Sequence, residues 1–350
     1  MRIQTATMES MKNPLKKIRR KKPEATPSRI TSDTIAEHRE RILAGGRRFK
    51  YPVQVARHRL VSSAILIAAT VLLLFVGFVI WQLYGAQASD TFFYRLTSVV
   101  PLPVAKVDNQ NVLYSDYLMK YRSSMHYLEN KEQVSLKTDD GKRQAAHVKA
   151  EAMQDAIADA YAIELAHQKN VTVSDAELQL FLKQQRASSG GEISEATYNT
   201  VILDYYGWSP QEYQHTTYNK LLRQKISYAI DTTASATADA ASKAIAGGQT
   251  DLKALSDVLK GTTYGISGLV PKDNQDGGLA AVAAKLQKGQ ISTVIKPTTG
   301  DGYYILKLDD SNDTQVNYEY VHVALTTFDT QLAALKKDGK VKEYISVPTE

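Results

Sequence analysis

A run of 24 residues without a charge, VSSAILIAATVLLLFVGFVIWQLY at positions 61–84, constrains this chain more than any other feature. As an α-helix it rises roughly 36 Å, enough to cross a hydrocarbon core about 30 Å thick with some tilt. A helix buried in a soluble core does not need that length. Arg59 lies just ahead of the run, and Asp90 is the first charge after it. The first 60 residues hold 16 Lys and Arg against five Asp and Glu, whereas the remainder holds 27 basic and 32 acidic residues. The net charge of +6 therefore conceals a strongly basic leader and a mildly acidic body. Basic residues crowd the cytoplasmic flank of membrane helices, and Arg47, Arg48, Lys50, Arg57 and Arg59 occupy that flank here. The expected topology is a single-pass protein of the cell membrane with a cytoplasmic N-terminus and an extracytoplasmic body. Trp81 and Tyr84 fall at the outer interface.

A cleaved signal peptide is the competing reading, with Ala86-Gln87-Ala88 as a small-residue cleavage site. The leader and the apolar run are both much longer than such a peptide requires, so anchoring is favoured. The chain has no cysteine, which excludes lipid attachment at a cysteine, disulfides and thiolate zinc sites. Residues 1–60 are read as a basic cytoplasmic tail, mostly disordered. Lys16, Lys17, Arg19, Arg20, Lys21 and Lys22 are interrupted by prolines and accompanied by few large apolar residues. Ser32 is expected to cap a short helix over 33–43, with Gly45-Gly46 ending it. Such a tail sets topology and attracts anionic lipid, at about 1 kcal/mol per basic residue near the surface. Nucleic acid is not expected as a partner, because no aromatic residues interleave with the charges.

Beyond the run, residues 85–102 read as a linker and the remainder has the length of two modest domains. A strand over 104–108 and a turn at 109–111 precede a helix capped by Ser115 and reaching Leu128. Residues 142–168 contain neither Gly nor Pro and should form one long helix. Ser174-Asp175-Ala176-Glu177 is a capping box, and Gly190-Gly191 closes the unit it opens. A short helix ends at Gly207, and Ser209-Pro210-Gln211-Glu212 starts another that runs to about Ile230. Helices are expected over 237–246 and in the LAAVAAKL segment, with strands over 291–295 and 303–308. Residues 316–325, VNYEYVHVAL, are strongly strand-like, with Tyr318, Tyr320 and His322 on one face and Val321, Val323 and Leu325 on the other. The short return over 309–315 should pair them antiparallel with 302–308 and bring His322 to Tyr304. A terminal helix over 328–336 and a last strand over 341–347 complete the chain.

Other chemistry finds little footing. His126, His147, His167 and His215 lie on separate helical stretches without an HExxH pattern, and no GxSxG elbow appears. Tyrosines number 20 against seven phenylalanines, and Tyr198, Tyr205, Tyr206, Trp208, Tyr213 and Tyr218 cluster in sequence. Two readings stay open at this point: ordinary core and rim packing, or an aromatic cleft holding extended polypeptide through rings that tolerate many sequences.

The ordered series PVAKVDNQNVLYSDYLMKYR, a long Ala-rich helix, NVTVSDAELQLFL and YYGWSPQEYQHTTYNKLLRQKI resembles the N-terminal chaperone domain of SurA-type foldases, over about residues 103–230. GGQTDLKALSDVL and LAAVAAKLQKGQISTVIKPTTGDGYYILKLDD resemble a parvulin, or PpiC-type, domain over about 234–310. The resemblance to this SurA/PrsA-type group implies an α+β fold: one transmembrane helix (61–84), a helical SurA-N-like domain (103–231) and a small antiparallel-sheet parvulin-like domain (232–350) with a strand added at its C-terminal end. It implies an extracytoplasmic folding factor that binds unfolded or nascent exported polypeptides and isomerises peptidyl-prolyl bonds. The alternatives are a catalytically inactive parvulin-like chaperone and an envelope-assembly adaptor. No cofactor and no metal are implied.

This sequence departs from the parvulin pattern where activity resides. Tyr304 stands at the histidine of the last strand, Leu279 at the aromatic of the preceding helix and Gln275 at the methionine position. The first strand is missing ahead of Thr237, and Tyr320-Val321-His322-Val323-Ala324-Leu325 looks like that strand moved to the C-terminal side. The resemblance therefore nominates Tyr304 and His322 as catalytic residues. It nominates Leu279 and Gln275 for substrate binding, and the aromatic-cleft reading nominates Tyr205, Tyr206, Trp208 and Tyr213.

Overall fold

The computed structural model describes residues 31–188 and 191–348, with the backbone alone for 46–57 and 188. The leader read as disordered therefore lies largely outside the described residues. The chain divides into two compact units, residues 1–75 and 76–350. Helix α1 (Ser32–Ile80) does not stop at Gly45-Gly46 as expected. An interior glycine costs only about 1 kcal/mol relative to alanine, and the helix formers on either side carry the backbone through. The segment His58–Gly85 is long and apolar enough to span a membrane.

In the second unit, α1 passes into a five-residue π-helix, Trp81–Gly85. Leu83 there is fully buried, and its carbonyl accepts a 2.5 Å hydrogen bond from the Tyr114 hydroxyl. The Tyr84 hydroxyl donates to the Pro103 carbonyl at 2.6 Å. The C-terminal end of the apolar run is thus also core of a folded domain. Residues 85–102, expected as a linker, contain helix α2 (Thr91–Val99). The Asp90 carboxylate accepts from the Phe92 and Phe93 amides, and Phe93 and Thr97 are buried. The Asp90 cap and the Phe93 anchor give a nine-residue segment enough to hold it helical.

A hairpin of β1 (Pro103–Val107) and β2 (Gln110–Leu113) leads into α3 (Tyr114–Asn130), followed by α4 (Asp139–Lys169) and α5 (Asp175–Gln185). Helix α3 starts one residue before Ser115, with Leu113 as its cap position and no side-chain cap, because buried Tyr114 fixes the start by packing. The Ser174–Glu177 capping box is present. A short hairpin, β3 (Ala187–Ser188) with β4 (Gly191–Glu192), precedes α6 (Glu195–Tyr206) and α7 (Pro210–Ile230), the latter opened by the Ser209–Glu212 capping box. Helices α3, α4 and α7 enclose the main core, which includes Tyr117, Leu118, Met153, Ile157, Leu222 and Ile226. Within it, Lys120 pairs with Asp159 at 2.8 Å, where the carboxylate is almost wholly buried.

The remaining chain adds α8 (Thr232–Ala246), α9 (Leu252–Val258), β5 (Thr262–Ile266), β6 (Val270–Pro271), α10 (Leu279–Ala283), β7 (Gly302–Ser311) and β8 (Gln315–Ala324). Strand β8 lies between β5 and β7, antiparallel to both, and also pairs with β6. The expected pairing of 302–308 with 318–325 is present, with Gly302 opposite Ala324 and Leu308 opposite Tyr318. Residues 291–295 do not form the expected strand; they touch β7 through isolated bridges at Ile291 and Ile295. Pro297 and the turn residues after it bend the segment away before a ladder can continue. On one sheet face α10 covers Leu306, Leu308, Val316 and Tyr318, and on the other α8 and α9 cover Tyr303, Ile305, Val321 and Val323.

The C-terminal segment departs from expectation. Helix α11 (Thr327–Lys337) and β9 (Val341–Glu343) were assigned to the second domain, yet Phe328, Leu332 and Ile345 bury in the core of the helical one. Strand β9 pairs antiparallel with β1, Val341 opposite Val107. Buried Asp231, between α7 and α8, fixes this return. It accepts hydrogen bonds from the Ala234 amide at 2.9 Å and from the Thr326 and Thr327 amides at 2.8 and 3.0 Å.

Candidate functional site

Tyr304 and His322 stand directly opposite each other on β7 and β8. The Tyr304 amide and carbonyl both bond to Ile295, at 2.9 and 2.7 Å, so on the β8 side the pair is a non-hydrogen-bonded one. Side chains approach most closely at such positions. The two rings stack, with centroids 4.4 Å apart and planes 19° from parallel. Tyr320 lies 5.7 Å from Tyr304 on the same face. All three are half-buried, and Tyr304 and Tyr320 pack against the cluster that α10 covers.

Asp301 completes the cluster. Its carboxylate accepts from the Tyr304 hydroxyl at 2.7 Å and from the Thr299 hydroxyl at 2.6 Å. His322 Nε2 is 3.2 Å from the Asp301 carbonyl and 3.8 Å from its carboxylate. A carbonyl can only accept, so Nε2 carries the proton in that bond. Burial, reinforced by the hydrogen bond to Asp301, pushes the Tyr304 hydroxyl above its ordinary range. Burial alone would raise the Asp301 carboxyl, but the hydrogen bonds from Thr299 and Tyr304 outweigh it and hold it below the ordinary range. At neutral pH the cluster offers a carboxylate and a proton-bearing phenol beside an imidazole. Gly302 allows this approach, since a Cβ there would collide with the Val323 carbonyl and come within 2.7 Å of His322 Nε2. Helix α7 holds the loop from behind: Gln224 donates to the Thr298 and Thr299 carbonyls at 3.1 and 2.9 Å, and Tyr228 to the Gly302 carbonyl at 2.5 Å.

The other nominated residues divide. Leu279 is buried under the sheet with Leu306 and Tyr318, so it is core and not a contact surface. The LAAVAA pattern turns Leu279, Ala280 and Ala283 inward together. Gln275 is exposed and lines a cleft of about 520 Å³ with Gln184, Ala281, Val282 and Ile295. In the helical domain Tyr206 stacks on Trp208 at 5.0 Å, Trp208 meets Tyr213 at 6.4 Å, and the Tyr198 and Tyr213 hydroxyls are 3.0 Å apart. Tyr206 and Trp208 border a cavity of about 90 Å³ shared with Tyr94, Met119, Arg122 and His126. Tyr205 is turned elsewhere, under the Lys131 ammonium at 4.7 Å, because adjacent helical residues point about 100° apart.

Asp301 and Tyr94 were not singled out in the sequence. Asp301 was visible as the turn acid of DGYY, one step before the strand, whereas Tyr94 was concealed in the segment taken for a linker. Among the described residues no three His, Cys, Asp or Glu side chains gather as a metal site.

The chain matches the family model of the SurA-like N-terminal domain over residues 55–227 and that of the PPIC-type PPIASE domain over 199–321. No curated protein matches it. Tyr206, Trp208 and Tyr213 fall where the two matches overlap, and the second also contains β5, α10, β7 and Tyr304 and ends one residue before His322. Carrying these two domains in this order, the chain belongs to the SurA/PrsA-type foldases, a family of peptidyl-prolyl isomerases and chaperones.

Proposed function

We propose that this protein is a membrane-anchored, extracytoplasmic folding factor that binds unfolded or nascent exported polypeptides through its helical domain. The observation that carries this reading is the ledge of Tyr206, Trp208 and Tyr213, partly exposed and backed by a small cavity, on a SurA-like domain. Flat aromatic faces bury much area at low entropic cost and accept many side chains. The basic flank of the apolar run supports a cytoplasmic N-terminus. The unburied surface of that run supports contact with lipid. In micelles, the full chain should suppress aggregation of an unfolded client, and the combined Tyr206→Ala, Trp208→Ala and Tyr213→Ala variant should lose most of that effect while remaining folded. Undiminished suppression would remove the ledge from the reading. Protease added from outside intact cells should reach the C-terminal domains; recovery of a soluble form starting near Ser89 would replace anchoring with secretion.

The Tyr304–His322 stack favours a second reading, that the sheet domain isomerises X-Pro bonds. Rotation about such a bond faces a barrier of about 20 kcal/mol and needs little covalent chemistry. A partly desolvated cluster of donors and acceptors lowers it by favouring the twisted amide over the planar one. In a proline-limited refolding assay, His322→Ala should slow catalysis about tenfold or more, as removal of a positioned polar group does. Tyr304→Phe, which removes the bond to Asp301 and keeps the stack, should do less. Wild-type protein without activity would leave the domain as a scaffold or an envelope-assembly adaptor.

A further inference from the structure

We propose that the outward face of α2 lies in the headgroup region of the bilayer that holds the apolar run, an inference that rests on the membrane-anchored reading above. Helix α2 turns Phe93, Tyr94, Leu96 and Thr97 toward the core. Phe92, Arg95 and Val99 fall within about 60° on the opposite side, by the 100° step of a helix. Phe92 is 55% exposed and Val99 83% exposed, and Val100, 43% exposed, extends the patch. No acidic side chain belongs to this face, since the Asp90 carboxylate is engaged at the helix cap. Among the described residues Arg95 pairs with no carboxylate, which leaves its guanidinium free for phosphate.

The tether places this face beside the outer end of the run. The Ala88 amide donates to the Gln82 carbonyl at 2.9 Å, so the chain folds back on the π-helix. Three peptide steps then separate Ala88 from Thr91, at most about 11 Å. Trp81, the residue before Gln82, is 61% exposed and 6.3 Å from the Phe78 ring. Tryptophan favours the level where hydrocarbon meets headgroups, and a short helix with aromatic, aliphatic and arginine residues on one face is suited to lie in that plane. The bilayer is the apolar surface that covalent connection guarantees to be near, whereas a second protein would have to be recruited.

The absence of cysteine allows single labels in the full chain. Phe92→Cys, Val99→Cys, Val71→Cys and Lys337→Cys proteins, each carrying an environment-sensitive fluorophore, would be reconstituted into phosphatidylcholine–phosphatidylglycerol vesicles containing a nitroxide lipid, labelled either at the headgroup or deep in the acyl chain. Labels at 92 and 99 should be quenched at least about twofold more than the label at 337, as expected for residues held at the interface. Quenching at 71 with none at 92 and 99 would overturn the proposal and leave the anchor intact. No quenching at 71 by the acyl-chain nitroxide would overturn both. A blue shift at 92 and 99 without lipid quenching would assign the face to another protein and also overturn it.

Discussion

The helical and sheet regions of the second unit bury their apolar residues in different ways. The helical region has one large core, and that core recruits segments from far away in sequence: Leu83 from the end of the apolar run, and Phe328, Leu332 and Ile345 from the C-terminal end. The sheet region has three small clusters divided between its two faces. A helix bundle can accept any apolar element that fits a groove, whereas a sheet accepts a strand only in register. Damage should accordingly spread through the helical region and stay local in the sheet.

The strongest way to break this contrast is to end the chain after Thr326. Each of Phe328, Leu332 and Ile345 buries on the order of 1.5–3 kcal/mol of apolar side chain, so the loss together should exceed about 5 kcal/mol. Urea unfolding followed through Trp208 should lose its cooperative transition. An unchanged midpoint would mean that the C-terminal return is not integral to the core. Next in size, Leu83→Ala should cost about 3 kcal/mol by leaving a cavity at a fully buried site. No change in the same measurement would detach the end of the run from the domain.

Asp231 joins the two regions and gives the comparison a pH test. Burial would raise its carboxyl, but the amides of Ala234, Thr327 and Thr326 outweigh this and hold it below the ordinary value of 3.8. Its stabilising contribution is therefore present above the unfolded value and is lost as pH falls through the lower folded one. Asp231→Asn should cost about 2 kcal/mol at neutral pH, and the gap to wild type should narrow below about pH 4. A gap constant across the acid range would deny the carboxylate that role. The smallest effect belongs to Ser209→Ala, about 1 kcal/mol from the α7 cap, read from helical circular dichroism on denaturation.

These outcomes follow the line between what the sequence disclosed and what it did not. Both capping boxes and the ends of α6 and α7 were legible because a cap is a contract between residues three apart. The β7–β8 register was legible because alternation and a short return leave little freedom. Helix α2 was not, since its nine residues are fewer than the stretch over which helical periodicity is read. The docking of α11 and β9 was not either, because an amphipathic segment shows that it needs a partner but not which one. At the site, the Tyr304–His322 pairing followed from strand parity. Burial of Leu279 and the turning away of Tyr205 depended on which helix faces met neighbours, and that is a tertiary fact.

Strand β8, at the centre of the sheet, and the C-terminal segments that close the helical core all lie beyond Thr314. A ribosome making this chain delivers them after the rest of both regions. Until they emerge, β5 and β7 have no strand between them and the helical core lacks a wall, so neither region can reach its final form before then. Contacts between the first and last parts of a chain are also slow to form, because a long loop must close first. A protein of the folding machinery built in this way spends its own early life as an incomplete chain, with the hydrophobic surfaces of both regions still open.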